Sequence, residues 1–327
     1  MRRSKIIGTG SCLPRKVLAN KDLEKIVDTS EEWIFTRTGI KERRIIENGE
    51  TLSDLAVDAS RNALEMAGIS VDALNAIIVG TVTPDLAFPS AACLIQTKLN
   101  ANKAFAFDVS AGCTGFMYAL SVADGFIKNE THNHILVIGA EVLSKIVDWE
   151  DRGTCVLFAD GAGAVVLKGV QGEDGGLLST HLHSDGSYWK LLCQPGGGSN
   201  NPASYQSIDE RLHYIKMEGN KLFKIAVKAL EDVAVEALKH NNFDSSNLDL
   251  WIPHQANIRI IEAVAQRLDV PMEKVFTNIH KYGNTSSASI PIALDEINRE
   301  GKIKEGDLVL LDAFGAGLTW GAALIRW

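Results

Sequence analysis

The sequence predicts an α/β protein in which one βα pattern is written twice. Three observations carry this expectation. AGISVDALNAIIVG (67–80) and NNFDSSNLDLWIPH (241–254) share a helix end, a connector and a strand. AFAFDVSAGCTGFMYALSVADGFI and VFTNIHKYGNTSSASIPIALDEI both read as strand, small polar turn and helix. ILVIGAEVL with FADGAGAVVL matches LVLLDAFGAGLTWGAALI as strand, glycine turn and strand. Three matched units in one order indicate duplication, with halves 1–172 and 173–327 meeting near Val170.

Taken in order, Lys5 to Leu13 reads as a strand ended by a Gly/Pro turn, Asn20 begins a capped helix, and Ser30 opens another. Ser53 to Ala67 carries an apolar stripe (Leu55, Ala56, Ala59, Ala63, Leu64), with Ser53 as the cap and Gly68 as the stop. Ala76 to Val82 is β-rich. Ala104 to Val109 is a short apolar strand leading through small residues to Cys113 and a helix opened by Thr114 and Gly115. Gly219 to Lys239 is a long amphipathic helix, and Leu250 to His254 is the strand that follows it.

Composition bounds the function. The 327 residues are 46% apolar and 23% charged with 8 Pro, as expected of a large folded core. A net charge of -8 argues against a general nucleic-acid binder, although Arg37, Lys41, Arg43 and Arg44 form a local basic cluster. Ile6 and Ile7 run straight into Gly8, so the positive N-terminus lacks the apolar middle of a signal peptide, and no stretch has the length of a membrane span. A cytoplasmic protein is expected. The five cysteines are odd in number and widely spaced, which indicates free thiols rather than disulfides or a zinc site.

A sulfur at a helix N-terminus is favoured as a thiolate, and Ala111, Gly112 and Gly115 would let a carbonyl approach both the sulfur and the backbone N–H groups. Cysteine is also among the most buried residue types, so this stretch alone leaves a structural role open. The duplication places Cys113 and Asn284 at pseudo-equivalent turns on one sheet edge, where ligands of open α/β sheets bind, and His254 ends a strand pointing to the same edge. Of the other histidines, His132 and His134 lie in a polar run. His181 and His183 share a strand face without a third metal ligand. Asp160-Gly-Ala-Gly and Phe314-Gly-Ala-Gly are followed by β-type residues, so they are strand-to-strand turns and not dinucleotide loops. Such a turn serves equally as a pair of oxyanion donors or as a close crossing of strands.

EEWIFTRTGIKERRI, FPSAACLIQ, DVSAGCTGF, DRGTCVLFADGAGAVVL, WIPHQANIRI, KYGNTSSASIP and AFGAGLTWGAALIRW together resemble the signatures of β-ketoacyl-acyl carrier protein synthase III. The resemblance spans Ile6 to Trp327 and implies a thiolase-like fold, duplicated βα halves in a five-layer αβαβα arrangement. It implies that Cys113 is the acyl-accepting nucleophile, that His254 and Asn284 complete the catalytic set, and that the N–H groups of Cys113 and Ala316 form the oxyanion hole. Trp33, Arg37, Arg152, Asn220 and Asn257 match coenzyme A-binding positions, and Phe88 and Phe158 match the acyl pocket. Lys224 and Arg259 match the docking face for acyl carrier protein, where Gln266 replaces a frequent Lys. A homodimer is implied. Acyl-coenzyme A and malonyl-acyl carrier protein would be substrates, and no cofactor or metal is expected. A specialised synthase of the same fold uses the same triad. A degradative thiolase would need a second Cys, and none follows Cys193. A papain-type hydrolase shares Cys, His and Asn but not the repeat, and a non-catalytic scaffold is the remaining class.

Overall fold

The computed structural model describes residues 2–172 and 175–327. The expected division at 172/173 falls at Glu173, outside the described residues. Strands β1 (Arg2–Cys12), β2 (Ala76–Gly80), β3 (Phe105–Val109), β4 (His134–Val142) and β5 (Asp160–Gln171) form one sheet in the order β1-β5-β4-β2-β3. Strands β6 (Gly176–Ser184), β7 (Leu250–Pro253), β8 (Leu308–Gly315) and β9 (Thr319–Arg326) form the second, in the order β6-β9-β8-β7. Four of the five strands of the first sheet match the second strand for strand. β1 and β4 flank β5 antiparallel as β6 and β8 flank β9, and the β2/β4 pair is parallel like β7/β8.

One expected strand is missing. The counterpart of β3 at Val275 is reduced to a single parallel bridge with Trp251. The reason is local: the side-chain oxygen of Gln255 accepts the N–H groups of Asn278 (3.0 Å) and Ile279 (3.2 Å), which ends the ladder after one bond from Phe276 N–H to Trp251 O.

Both faces of each sheet are buried, which is why the central strands read as continuous apolar runs rather than alternating ones. Ala76, Ile78, Ile135 and Val137 face a central layer made of α3 (Gly115–Lys128) and α6 (Ser289–Arg299), while Ile77, Val79, Leu136 and Ile138 face α1 (Leu52–Ala67) and α2 (Ala91–Leu99). Across the central layer, Ile252, Val309 and Leu311 present the inner face of the second sheet. Its outer face packs on α4 (Gly219–His240) and α5 (Ile258–Leu268). The result is the five-layer αβαβα arrangement. Truncating a fully buried layer residue such as Ile78 to Ala costs about 2–5 kcal/mol. A smaller cluster, including Ile34, Leu143, Val147, Phe158 and Ile215, roofs the end of the first sheet.

Two start signals differ from expectation. The N-cap of α1 is Thr51, which exchanges bonds with Asp54 in a capping box, while Ser53 is buried against Asp85. Asn20 starts only a four-residue turn, Asn20–Leu23, and its buried side-chain amide donates to Ile40 O at 2.7 Å. The helix at Glu31–Thr38 is capped by Ser30 as expected.

The duplicated turns align more closely than the sequence suggests. A single 3-10 turn, Gly112–Thr114, precedes α3, and another, Ser286–Ala288, precedes α6. Gly112 and Ser286 both open their turns in the left-handed region, at φ 56 and 51. The positional partner of Cys113 is therefore Ser287, and Asn284 lies two residues before the second turn. That corrects the expected Cys113–Asn284 equivalence.

Candidate active site

The turn carrying Cys113 is held against the end of β8 by backbone contact. A Cβ on Gly112 would sit 2.7 Å from Ala316 N, and one on Gly315 would sit 2.5 Å from Cys113 N, so glycine is required at both places. Thr319 clamps the crossing: its hydroxyl bonds Ala111 O and Ala316 O, each at 2.9 Å, and lies 2.6 Å from Thr114 Oγ1. The backbone N–H groups of Cys113 and Ala316 consequently converge on the sulfur.

The sulfur is not a resting thiolate, contrary to the helix-terminus expectation. Burial pushes the Cys113 thiol up to about 11, and the nearby Glu141 charge adds to this, against hydrogen bonds from Ser286 and the two N–H groups. Desolvation is the largest cause and outweighs the hydrogen bonds that favour the charged form, even though the turn leads directly into the 14-residue α3.

His254 and Asn284 face the same space. His254 N–H donates to Asp312 O at 2.8 Å, and the ring Nδ1 lies 2.6 Å from Ser289 Oγ. Burial lowers its pKa to about 4, so the imidazole is neutral. Asn284 N–H donates to Leu157 O and Asn284 O accepts from Ala159 N–H, both at 2.9 Å. Its side-chain oxygen accepts Ser286 N–H at 2.9 Å, which leaves the amide NH2 as the group available to a ligand.

A cavity of about 120 Å³ is lined by Cys113, His254, Asn284, Asn257, Phe158 and Phe223. An apolar one of about 160 Å³ is lined by Cys113, Phe158, Leu143, Ile146, Leu192 and Ile215. Cys113, Phe158 and Leu192 belong to both, so the sulfur sits where the two meet. A larger cavity of about 380 Å³ near Lys5, Met66 and Trp327 contains none of these side chains.

The remaining expected residues divide. Arg37 and Arg152 hold their guanidinium carbons 5.0 and 4.8 Å from the Trp33 ring centre, an aromatic and basic cluster on the surface. Asn257 caps α5 by accepting Arg259 N–H at 2.9 Å and lines the first cavity. Asn220 is exposed on the first turn of α4 and does not line it, whereas Gly219, Leu222 and Phe223 do. Phe88 is 85% exposed and lines neither cavity of its own chain. Lys224 and Arg259 are exposed on α4 and α5, Arg259 lying over the Phe223 ring at 5.7 Å. His181 Nδ1 and His183 Nε2 share the Glu236 carboxylate at 3.1 and 2.6 Å, tying β6 to α4.

Glu141 was not singled out from sequence. It is fully buried, accepts from Thr83, Val82 N–H, Ser286 and Ser287, and is pushed up to about 7 by burial. Its one signal is a lone carboxylate inside the apolar run ILVIGAEVL.

Paired duplicated sheets around a shared helical layer, with Cys, His and Asn on one cavity, define a condensing acyltransferase of the thiolase fold. Residues 107–186 match the family model for 3-oxoacyl-[acyl-carrier-protein (ACP)] synthase III, and 238–327 match the model for its C-terminal part. The chain is 54% identical over 329 residues to the β-ketoacyl-[acyl-carrier-protein] synthase III of Natranaerobius thermophilus, covering 100% of both chains. It is 56% identical to that of Xanthomonas campestris, covering 99% of this chain and 98% of the other. The crystal structure of 3-oxoacyl-[acyl-carrier-protein] synthase III from Aquifex aeolicus superposes with a TM-score of 0.92 at 52% identity, covering 99% of this chain and 100% of that one. The chain belongs to the 3-oxoacyl-[acyl-carrier-protein] synthase III family, condensing enzymes that start fatty acid synthesis.

Proposed function

We propose that Cys113 accepts a short acyl group from an acyl-coenzyme A and passes it to malonyl-acyl carrier protein by decarboxylative condensation. The observation that carries this reading is the convergence of two backbone N–H groups on the sulfur, beside a neutral imidazole and a free amide on the same cavity.

In the first step the Cys113 sulfur, losing its proton, adds to the thioester carbonyl, and the N–H groups of Cys113 and Ala316 take the charge of the tetrahedral oxygen. Coenzyme A leaves with the proton. In the second step the malonyl thioester carbonyl accepts hydrogen bonds from His254 and Asn284. Carbon dioxide departs, and the enolate carbon attacks the acyl-Cys113 carbonyl. The thiolate is released and the 3-oxoacyl product leaves on the carrier. Neutral donors suit this step, because they stabilise developing enolate charge without transferring a proton. The scheme needs no cofactor.

Trp33, Arg37 and Arg152 are assigned to the nucleotide end of coenzyme A, where a ring and two guanidinium groups match a base and phosphates. Asn257 is assigned to the pantetheine path, and Asn220 to its mouth. Phe158 and the apolar cavity are assigned to the acyl chain, and Lys224 with Arg259 to the acidic carrier protein. Phe88, with Leu86 also exposed beside it, is assigned to the acyl pocket of a second copy, in a cytoplasmic homodimer.

Incubation with radiolabelled acetyl-coenzyme A tests the reading. A covalent adduct is expected on the protein and not on Cys113→Ala, and it should be discharged by malonyl-acyl carrier protein. If none of acetyl-, isobutyryl- and octanoyl-coenzyme A primes condensation, the proposal is wrong.

A further inference from the structure

We infer that Ser289, the first residue of α6, is a positioning residue that fixes His254 as the Nε2–H tautomer. This rests on the reading that His254 donates to the malonyl thioester carbonyl. A neutral imidazole has one N–H and one bare nitrogen, and the hydrogen bond made by one nitrogen decides the state of the other. The ring lines the cavity with Cys113 and Asn284, and Nδ1 is engaged with Ser289 Oγ at 2.6 Å, so Nε2 is the nitrogen left for a ligand.

The proton's location follows from hydrogen-bond accounting. Ser289 Oγ already accepts the Gln255 N–H at 3.3 Å, and Ser289 is 2% exposed. Among the described residues its hydroxyl proton has no acceptor except His254 Nδ1. A proton on Nδ1 would give Oγ two donors and leave the buried hydroxyl proton without a partner, the arrangement that folded proteins avoid. Directing the hydroxyl at Nδ1 satisfies all three groups and puts the ring proton on Nε2. The partner is also uncharged, so it orients the ring without drawing it into the imidazolium form that a carboxylate there would favour.

The test combines a direct readout with a split between half-reactions. In 15N-histidine-labelled protein, the His254 resonances should show a protonated Nε2 and a bare, hydrogen-bonded Nδ1. Ser289→Ala should lose that signature and slow condensation on the order of tenfold, with acylation of Cys113 held within about twofold. Ser289→Thr, which keeps the hydroxyl, should restore both. A wild-type spectrum with the proton on Nδ1 overturns the proposal, and so does a Ser289→Ala enzyme in which both half-reactions fall together. If Ser289→Ala does not fold, the wild-type spectrum and Ser289→Thr decide the question. His254→Ala separates the two readings. Condensation that survives in it removes the role of His254, and the proposal with it. Condensation lost there but unchanged in Ser289→Ala removes only the role of Ser289.

Discussion

A Cβ at position 315 would stand 2.5 Å from the amide nitrogen of Cys113 and 2.9 Å from its Cβ. Gly315→Ala must therefore push the strand end away from the nucleophile turn and carry the Ala316 N–H off the sulfur. Loss of one oxyanion donor predicts a fall in acylation of about 10²–10³-fold, read as the rate of adduct formation with labelled acetyl-coenzyme A.

Gly125 provides the opposite case. It lies inside α3, and a Cβ there meets nothing within 4 Å. Gly125→Ala should stabilise the protein by about 0.5–1 kcal/mol, seen as a higher urea midpoint, with acylation unchanged.

The two half-reactions should separate with pH. The Cys113 thiol is held up at about 11, so acylation should rise toward tenfold per unit between roughly pH 6 and 9. His254, at about 4, stays neutral throughout, so condensation from pre-acylated enzyme should show no limb from this residue above roughly pH 5. Single-turnover rates across this range check both. A limb near pH 7 in either half-reaction would belong to Glu141 or to Asp312, both pushed up to about 7 by burial, and Glu141→Gln distinguishes them: a limb from Glu141 vanishes in it, and one from Asp312 persists.

Glu141 also predicts a stability profile. Its pKa rises from 4.5 unfolded to about 7 folded, so the folded state binds the extra proton between these values. The contribution is fully present below about 4.5 and is lost as pH rises through 7, with a slope of up to about 1.4 kcal/mol per unit. Glu141→Gln should remove this slope, so urea midpoints of the variant should gain on wild type as pH rises across that window. His254 has the opposite sign. Depressed from 6.5 to about 4, it contributes stability present above 6.5 and lost as pH falls through 4.

The surface cluster yields a binding prediction. Trp33→Ala removes the face shared by Arg37 and Arg152 and should raise KM for acyl-coenzyme A about tenfold, leaving condensation from pre-acylated enzyme within about twofold.

The layers were legible because each half repeats strands whose two faces are both apolar, and a helix period separates them. The duplication also pointed to the edge where Cys113, His254 and Asn284 line one cavity, although it reached Asn284 through an equivalence that belongs to Ser287. What the sequence hid was finer than its periodicity. The loss of a strand at Val275 depends on a Gln255 side chain taking two backbone N–H groups. The matching of Cys113 to Ser287 depends on a left-handed residue that is Gly in one half and Ser in the other. The raised thiol pKa depends on burial by segments distant in sequence, and no local motif reports it.

The paired turns bear on how the chain can change. In an assembly of two identical half-sized chains, every substitution would alter both turns at once. Joined in one polypeptide, Cys113 and Ser287 are free to diverge: one supplies the sulfur, while the other donates to Gly80 O at 2.7 Å and to Glu141 at 3.1 Å. Fusion thus converts a symmetric pair into a worker and its support, each open to separate mutation.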